Sequence, residues 1–402
     1  MQLTKESEKL IKTILDNNFF NLSKKSNEKT EKIKKIIFDD IKTSYLFTNK
    51  LLLSTRLNPT IMKEKPNVMV HSKYVPNKIK KDITNFYKWN LIYTIKIQDK
   101  VLKIIFGLKT ESFNKVFYDN KVKHIIALVK FYLLYVKNNT IKKITLHLYL
   151  TPYKKMLPRN SMEILSPEHC NSALTYPCSE NVVIFIFRNE EWFKVLGHEI
   201  MHAFCLDFSM FELNMIQGKM SALFPIKSDF LISETYAEFW GNYINCGFIS
   251  YNQFGIENNF SDYKLHFNIL YSFEKYFGFI QCVKILNHMQ LTYEQLLDTE
   301  INKNANILYK ENTNVFCYYI LKIIFYFFDK DFLLLCYKNN DNIIHFDMTK
   351  QNIVRILNFI KSNYNSNELI NTVKKMEETV NNIKSNTFIM KNNRMTINEL
   401  DL

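Results

Sequence analysis

Val195-Leu196-Gly197-His198-Glu199-Ile200-Met201-His202-Ala203-Phe204 is the run whose reading decides the fold. It contains HExxH, and on a helix of 3.6 residues per turn His198 and His202 stand one above the other, about 6 Å apart between Cβ atoms. Two imidazoles so placed can bind one Zn²⁺ from a single rigid element, with room for a third ligand and a water. Glu199 lies about 100° round the helix. It can therefore face a metal-bound water as general base without being a ligand.

Working outward, Asn181–Phe187 (NVVIFIF) and Asn171–Tyr176 read as a pair of strands around Pro177-Cys178-Ser179, just ahead of that helix. Lys143–Thr151 alternates with strand period, and His124–Lys137 is an apolar helix. Leu91–Ile97 and Val101–Phe106 flank Gln98-Asp99-Lys100 as a hairpin. Residues 1–85 form a helical, Lys-rich flank, with stripes at Leu10, Ile11, Ile14 and Leu15 and at Ile33, Ile36, Ile37 and Ile41. On the other side, Ser233, with Asp229 as the competing start, caps a helix through Ile244. Further helices are expected over 262–278, 279–290, 293–299, 313–328 and 349–362. The last forty residues read as one more helix (Glu368–Ile383) and a loose polar tail. The expectation is an α+β protein, mostly helical: a helical flank over 1–85, a core over 86–250 with a small sheet beside the motif helix, and a helical region over 251–402.

Composition narrows the function. Of 402 residues, 47% are apolar, as in a globular chain. The net charge of +14 raises nucleic acid as a partner. Almost all of it is Lys, however, with Arg only at 56, 159, 188, 355 and 394, whereas base and phosphate readout favours Arg forks. The excess of Lys, Asn, Ile, Phe and Tyr fits an AT-rich coding sequence better than a nucleic-acid-binding role. Seven cysteines occur without a CxxC, which suits a reducing compartment better than a disulfide framework. The charged N-terminus has no apolar signal core, and Tyr318–Tyr337 is interrupted by Lys322, Asp329, Lys330 and Asp331. These features predict a soluble intracellular protein without a membrane span.

The third ligand separates the metallopeptidase classes. HExxHxxGxxH is excluded because Cys205 and Phe208 occupy its Gly and final His positions, and Asp207 is one place from where an Asp variant would need it. Downstream, Glu234-Thr235-Tyr236-Ala237-Glu238 offers two carboxylates at i and i+4 on one helix face. With HExxH, this pair resembles the gluzincin group of zinc metallopeptidases, over roughly residues 171–245. The resemblance implies a zincin-like core, Zn²⁺ as cofactor, His198, His202 and Glu234 as ligands and Glu199 as base. It places Glu238 where the family usually has Asp, orienting a ligating His, and the two Glu could exchange roles. It also implies that an extended peptide substrate pairs with an edge strand, for which Asn171-Ser172-Ala173-Leu174-Thr175 is the candidate. The transition-state stabiliser cannot be assigned from sequence; Tyr243, His266 and Tyr271 are options. The runs LPRNSMEIL and FRNEEWFKVLGHEIMH are similar to predicted proteases of large DNA viruses, which adds a virion as a location.

The expected function is thus zinc-dependent hydrolysis of peptide bonds. The competing class is a catalytically inactive, zinc-stabilised structural or interaction protein. A Lys-rich nucleic-acid-binding protein ranks behind both.

Overall fold

A computed structural model describes all residues except 1–2, 18–21, 23–27, 138–139, 162, 256–258, 298–304 and 341. After α1 (Lys5–Leu15) and α2 (Glu28–Ser54) comes β1 (Thr60–Lys63), then α3 (Asn77–Phe86), β2 (Trp89–Ile97), β3 (Lys100–Leu108), α4 (Lys115–Leu133) and β4 (Lys143–Thr151). A one-turn α5 (Pro167–Cys170) leads into β5 (Ala173–Thr175), β6 (Asn181–Arg188) and the motif helix α6 (Trp192–Ala203). The remainder is helical: α7 (Leu213–Leu223), α8 (Ile232–Ser250), α9 (Phe260–His288), α10 (Ala305–Leu308), α11 (Lys322–Phe327), α12 (Asp329–Asn339), α13 (Lys350–Asn363), α14 (Asn367–Asn382) and α15 (Phe388–Lys391). The protein is mixed α+β and mostly helical around one six-stranded sheet.

The strands lie in the order β1-β2-β3-β4-β6-β5. β1, β2 and β3 pair antiparallel, β3, β4 and β6 are parallel, and β5 returns antiparallel along β6 as the far edge. The continuous apolar run of β6 follows from burial on both faces. Val182, Ile184 and Ile186 enter the main core, while Phe185 and Phe187 meet Met69, Val70, Ile79 and Ile83 on the opposite face. That main core is continuous from Leu10 to Leu402 and draws on all three predicted segments. No helix among the described residues is long and apolar enough to cross a membrane.

Several expectations need correction. The flank over 1–85 is not purely helical, since Thr60–Lys63 adds the outer strand β1 to the sheet. Ser233 is not a cap: α8 begins at Ile232 after Leu231 without a side-chain cap bond, and neither Ser233 nor Asp229 fills that role. The helices expected over 262–278 and 279–290 are one, because Gly278 is a packing contact and not a stop. A Cβ there would lie 2.6 Å from the Tyr326 ring. Over 293–299 the described residues form only a 3₁₀ turn, Glu294–Leu296, and 298–299 fall outside them.

The tail is the largest miss. Asn392, Asn393, Arg394, Thr396 and Asn398 are fully buried. Polar residues can be interior when partners wait for them. The Glu191 carboxylate accepts from the backbone N–H groups of Met395 (2.7 Å) and Thr396, and Glu274 accepts from Thr396 Oγ1 (2.6 Å) and Ile397 N–H (3.2 Å). Cysteine usage is also revised: Cys178 and Cys205 form a disulfide, and the other five cysteines are buried thiols.

Candidate metal centre

The motif helix is held at its start and along its length. At its start, buried Glu191 pairs with Lys155 and caps the helix in the left-handed region (φ 60°), while Glu190 accepts from Lys155 N–H (2.7 Å) and Asn392 Nδ2 (2.8 Å). Every residue of the helix is buried, with α8 packed along it. Gly241 of α8 faces the His198 backbone, where an added Cβ would sit 3.5 Å from His198 Cβ. That close passage brings the first turn of α8 over the two imidazoles.

His198, His202 and Glu234 converge there as the only group of three or more possible metal donors among the described residues. His198 Nε2 and His202 Nε2 are 3.1 Å apart, and each is 3.2 Å from Glu234 Oε2. Three ligands on a tetrahedral Zn²⁺ at about 2.0–2.1 Å would be about 3.3 Å from one another. The spacing therefore fits a small divalent cation. The tautomers fit as well. The Nδ1 atom of each ring faces a carboxylate, Glu238 Oε2 at 3.2 Å for His198 and Asp207 Oδ2 in short contact for His202. Protons on Nδ1 leave both Nε2 lone pairs pointing at the common centre.

Of the two glutamates, Glu234 joins the imidazoles as a possible donor and Glu238 does not. Glu238 is 1% exposed and held by Lys194, by Lys322 (3.2 Å) and by Asn242 Nδ2 (3.2 Å), with His198 Nδ1 at 3.2 Å. Burial opposes its ionisation, but the two ammonium groups outweigh that and hold its carboxyl well below the usual range. Glu234 is likewise penalised by burial and likewise held low, here by His202 and His198. Its other oxygen, Oε1, accepts from Asn314 Nδ2 at 3.2 Å, which orients Oε2 toward the imidazoles. Burial disfavours a charged His202, yet Asp207 and Glu234 raise its proton affinity well above that of an ordinary imidazole. Carboxylates thus face both rings.

Glu199 lines the same cleft as the three donors and makes no ion pair with a Lys or Arg among the described residues. Burial raises its carboxyl above the ordinary value, partly offset by His198 and His202. Glu199 thus stands buried beside the three possible donors. The cleft has a volume of about 1220 Å³. Its upper rim is the edge strand: Asn171, Ala173, Leu174 and Thr175 line it, whereas Ser172 is buried and turns its carbonyl inward to Phe187 N–H (2.9 Å). The regular strand is Ala173–Thr175, shorter than the five-residue candidate.

Lys194 and Tyr318 were not singled out in the sequence, and Asp207 was weighed only as a metal ligand. Asp207 is five residues past His202, a spacing with no helical meaning because the helix has already ended. Lys194 is four residues before His198, so helical spacing toward His198 could have flagged it. Tyr318 carried no local signal. It reaches the cleft from a π-helical turn, Phe316–Leu321, a distortion often found at functional sites. Its ring centroid is 6.1 Å from that of His198, and burial, reinforced by Glu234 and Glu199, keeps the phenol protonated far above its ordinary range. The three options named from sequence lie elsewhere. Tyr243 and Tyr271 pack in an aromatic cluster with Phe267, and His266 contacts Ser250. None of the three lines the cleft. No protein-family model, no curated protein and no solved structure matches this chain.

Proposed function

We propose that the protein is a zinc-dependent peptidase of gluzincin type, with a zincin-like core and a peptide or protein as substrate. The observation that carries this reading is the convergence of His198 Nε2, His202 Nε2 and Glu234 Oε2 at 3.1–3.2 Å from one another, on the floor of an open cleft. A Zn²⁺ held by these three donors would supply Lewis acidity there. Glu199 takes a proton from the attacking water and returns it to the leaving amine. The Tyr318 hydroxyl, kept protonated, donates to the oxyanion as the carbonyl becomes tetrahedral. The open edge of β5 offers backbone groups that align an extended chain across the donors.

A purely structural zinc role fits less well. Structural sites are closed by four protein ligands, and here three donors face a cleft large enough for a peptide. The test combines metal analysis with hydrolysis of a peptide library. Wild type should hold one zinc, His202→Ala should lose it, and Glu199→Gln should keep it while losing hydrolysis by about 10²–10⁴-fold. Undiminished hydrolysis by Glu199→Gln, or no zinc in the wild type, would refute the reading.

A further inference from the structure

The Cys178–Cys205 bridge joins the two walls of the cleft. Cys178 lies in the turn between β5 and β6, and Cys205 lies between His202 and Asp207, with Cα atoms 4.6 Å apart. The two are partly exposed, unlike the five buried thiols. Both adopt left-handed backbone angles, φ 56° and φ 59°, which non-glycine residues seldom hold unless the surroundings impose them. Both also donate their backbone N–H to the same acceptor, the carbonyl of His202, at 3.2 and 3.1 Å. One covalent link therefore fixes the turn that carries Asp207 to the imidazole of His202. The same link fixes Tyr176 and Pro177, which line the cleft at the end of the edge strand.

We propose that this disulfide is a redox-operated tie that regulates the metal centre: oxidised, it holds the Asp207 turn and the edge strand against the motif helix; reduced, it releases both and weakens zinc binding. The proposal rests on the metal-centre reading above. The reductant is a dithiol, small or protein-borne. One of its thiolates attacks a bridge sulfur, forming a mixed disulfide and freeing the other cysteine as a thiolate that takes up a proton. The second thiol of the reductant then displaces the remaining cysteine. The bridge gains two electrons and two protons, and the dithiol leaves as its own disulfide. The free thiols leave these angles to backbone hydrogen bonds: the shared His202 carbonyl and, at Cys205, Leu206 N–H to the Met201 carbonyl (2.9 Å). Loss of the Asp207 contact is the kind of change that lowers metal affinity about 10- to 100-fold.

The experiment measures the Zn²⁺ dissociation constant by competition with a fluorescent chelator. Three samples are compared: protein purified without reductant, the same protein reduced with dithiothreitol and freed of it anaerobically, and the double variant Cys178→Ala/Cys205→Ala. Intact mass should show one disulfide in the first sample. The second and third should bind zinc at least about tenfold more weakly, and reoxidation of the second should restore the affinity, which a misfolded protein would not do. Hydrogen exchange over 176–180 and 204–209 should quicken on reduction. Equal zinc affinity in all three samples, or no disulfide in the first, overturns the proposal while leaving the metal centre standing. Absence of zinc from the oxidised protein removes the metal centre and the proposal together.

Discussion

Removing the Asp207 carboxylate tests the proposed metal centre at a residue outside its three donors. Asp207 is fully buried; one oxygen contacts His202 Nδ1 and the other accepts from Ser209 N–H (3.0 Å) and Ser209 Oγ (2.8 Å). Asp207→Ala deletes a charge-assisted hydrogen bond to the His202 imidazole, worth about 1.5–3 kcal/mol. At about 1.4 kcal/mol per factor of ten, that is a ten- to hundredfold loss, the range found for orienting partners of metal-bound histidines. Asp207→Asn keeps an acceptor for Nδ1–H without the charge and should fall between the variant and wild type. Zinc affinity is read by chelator competition, and the melting temperature of the zinc-free proteins separates lost orientation from lost stability. Ser209→Ala removes only the hydroxyl contact and should leave affinity within about twofold. If Asp207→Ala binds zinc as tightly as wild type, with its fold intact, the carboxylate does not orient His202 and the argument fails.

Three further outcomes are expected. Tyr318→Phe should lower kcat by about 10²–10³-fold with little change in KM, as for loss of one oxyanion donor; a change confined to KM would make Tyr318 a substrate-binding residue only. Glu238→Ala leaves Lys194 and Lys322 buried without their shared carboxylate and should destabilise the protein by about 3–5 kcal/mol, measured by denaturant unfolding; a loss under about 1 kcal/mol would mean that the cluster is solvated. The last concerns pH. Burial pushes the Glu274 carboxyl up to about 7, against Lys322, the Thr396 hydroxyl and Lys194. Its folded value thus exceeds its unfolded one, so the folded state binds the extra proton between the two. Its contribution therefore costs nothing below about pH 4.5 and grows to roughly 3 kcal/mol of destabilisation above pH 7. Glu274→Gln should raise the melting temperature at pH 8 more than at pH 5, and an equal change at both would refute the assignment.

The HExxH run carried its own geometry because a helix turns local spacing into spatial neighbours: His198 and His202 had to share a face. Most strands were legible from their own local pattern, the short β1 excepted. Lys143–Thr151 has the boundaries read from its alternation, and the apolar run before the motif is β6. Glu234 and Glu238 could be singled out as a pair but not ranked, since residues four apart on a helix look alike until something packs on one of them. Lys194 and Lys322 bind Glu238, and Asn314 turns Glu234 toward the imidazoles. Only the fold could supply those partners, because two of the three lie some eighty residues further along the chain.

The same limit explains the buried tail, the disulfide and Tyr318. Composition reports how readily a segment is solvated by itself. It does not report whether Glu190, Glu191 and Glu274 are waiting inside to receive its N–H groups. Local periodicity thus determined most of the elements and the two-histidine face, while the charge around that face was decided by long-range contacts that leave no periodic trace in the chain.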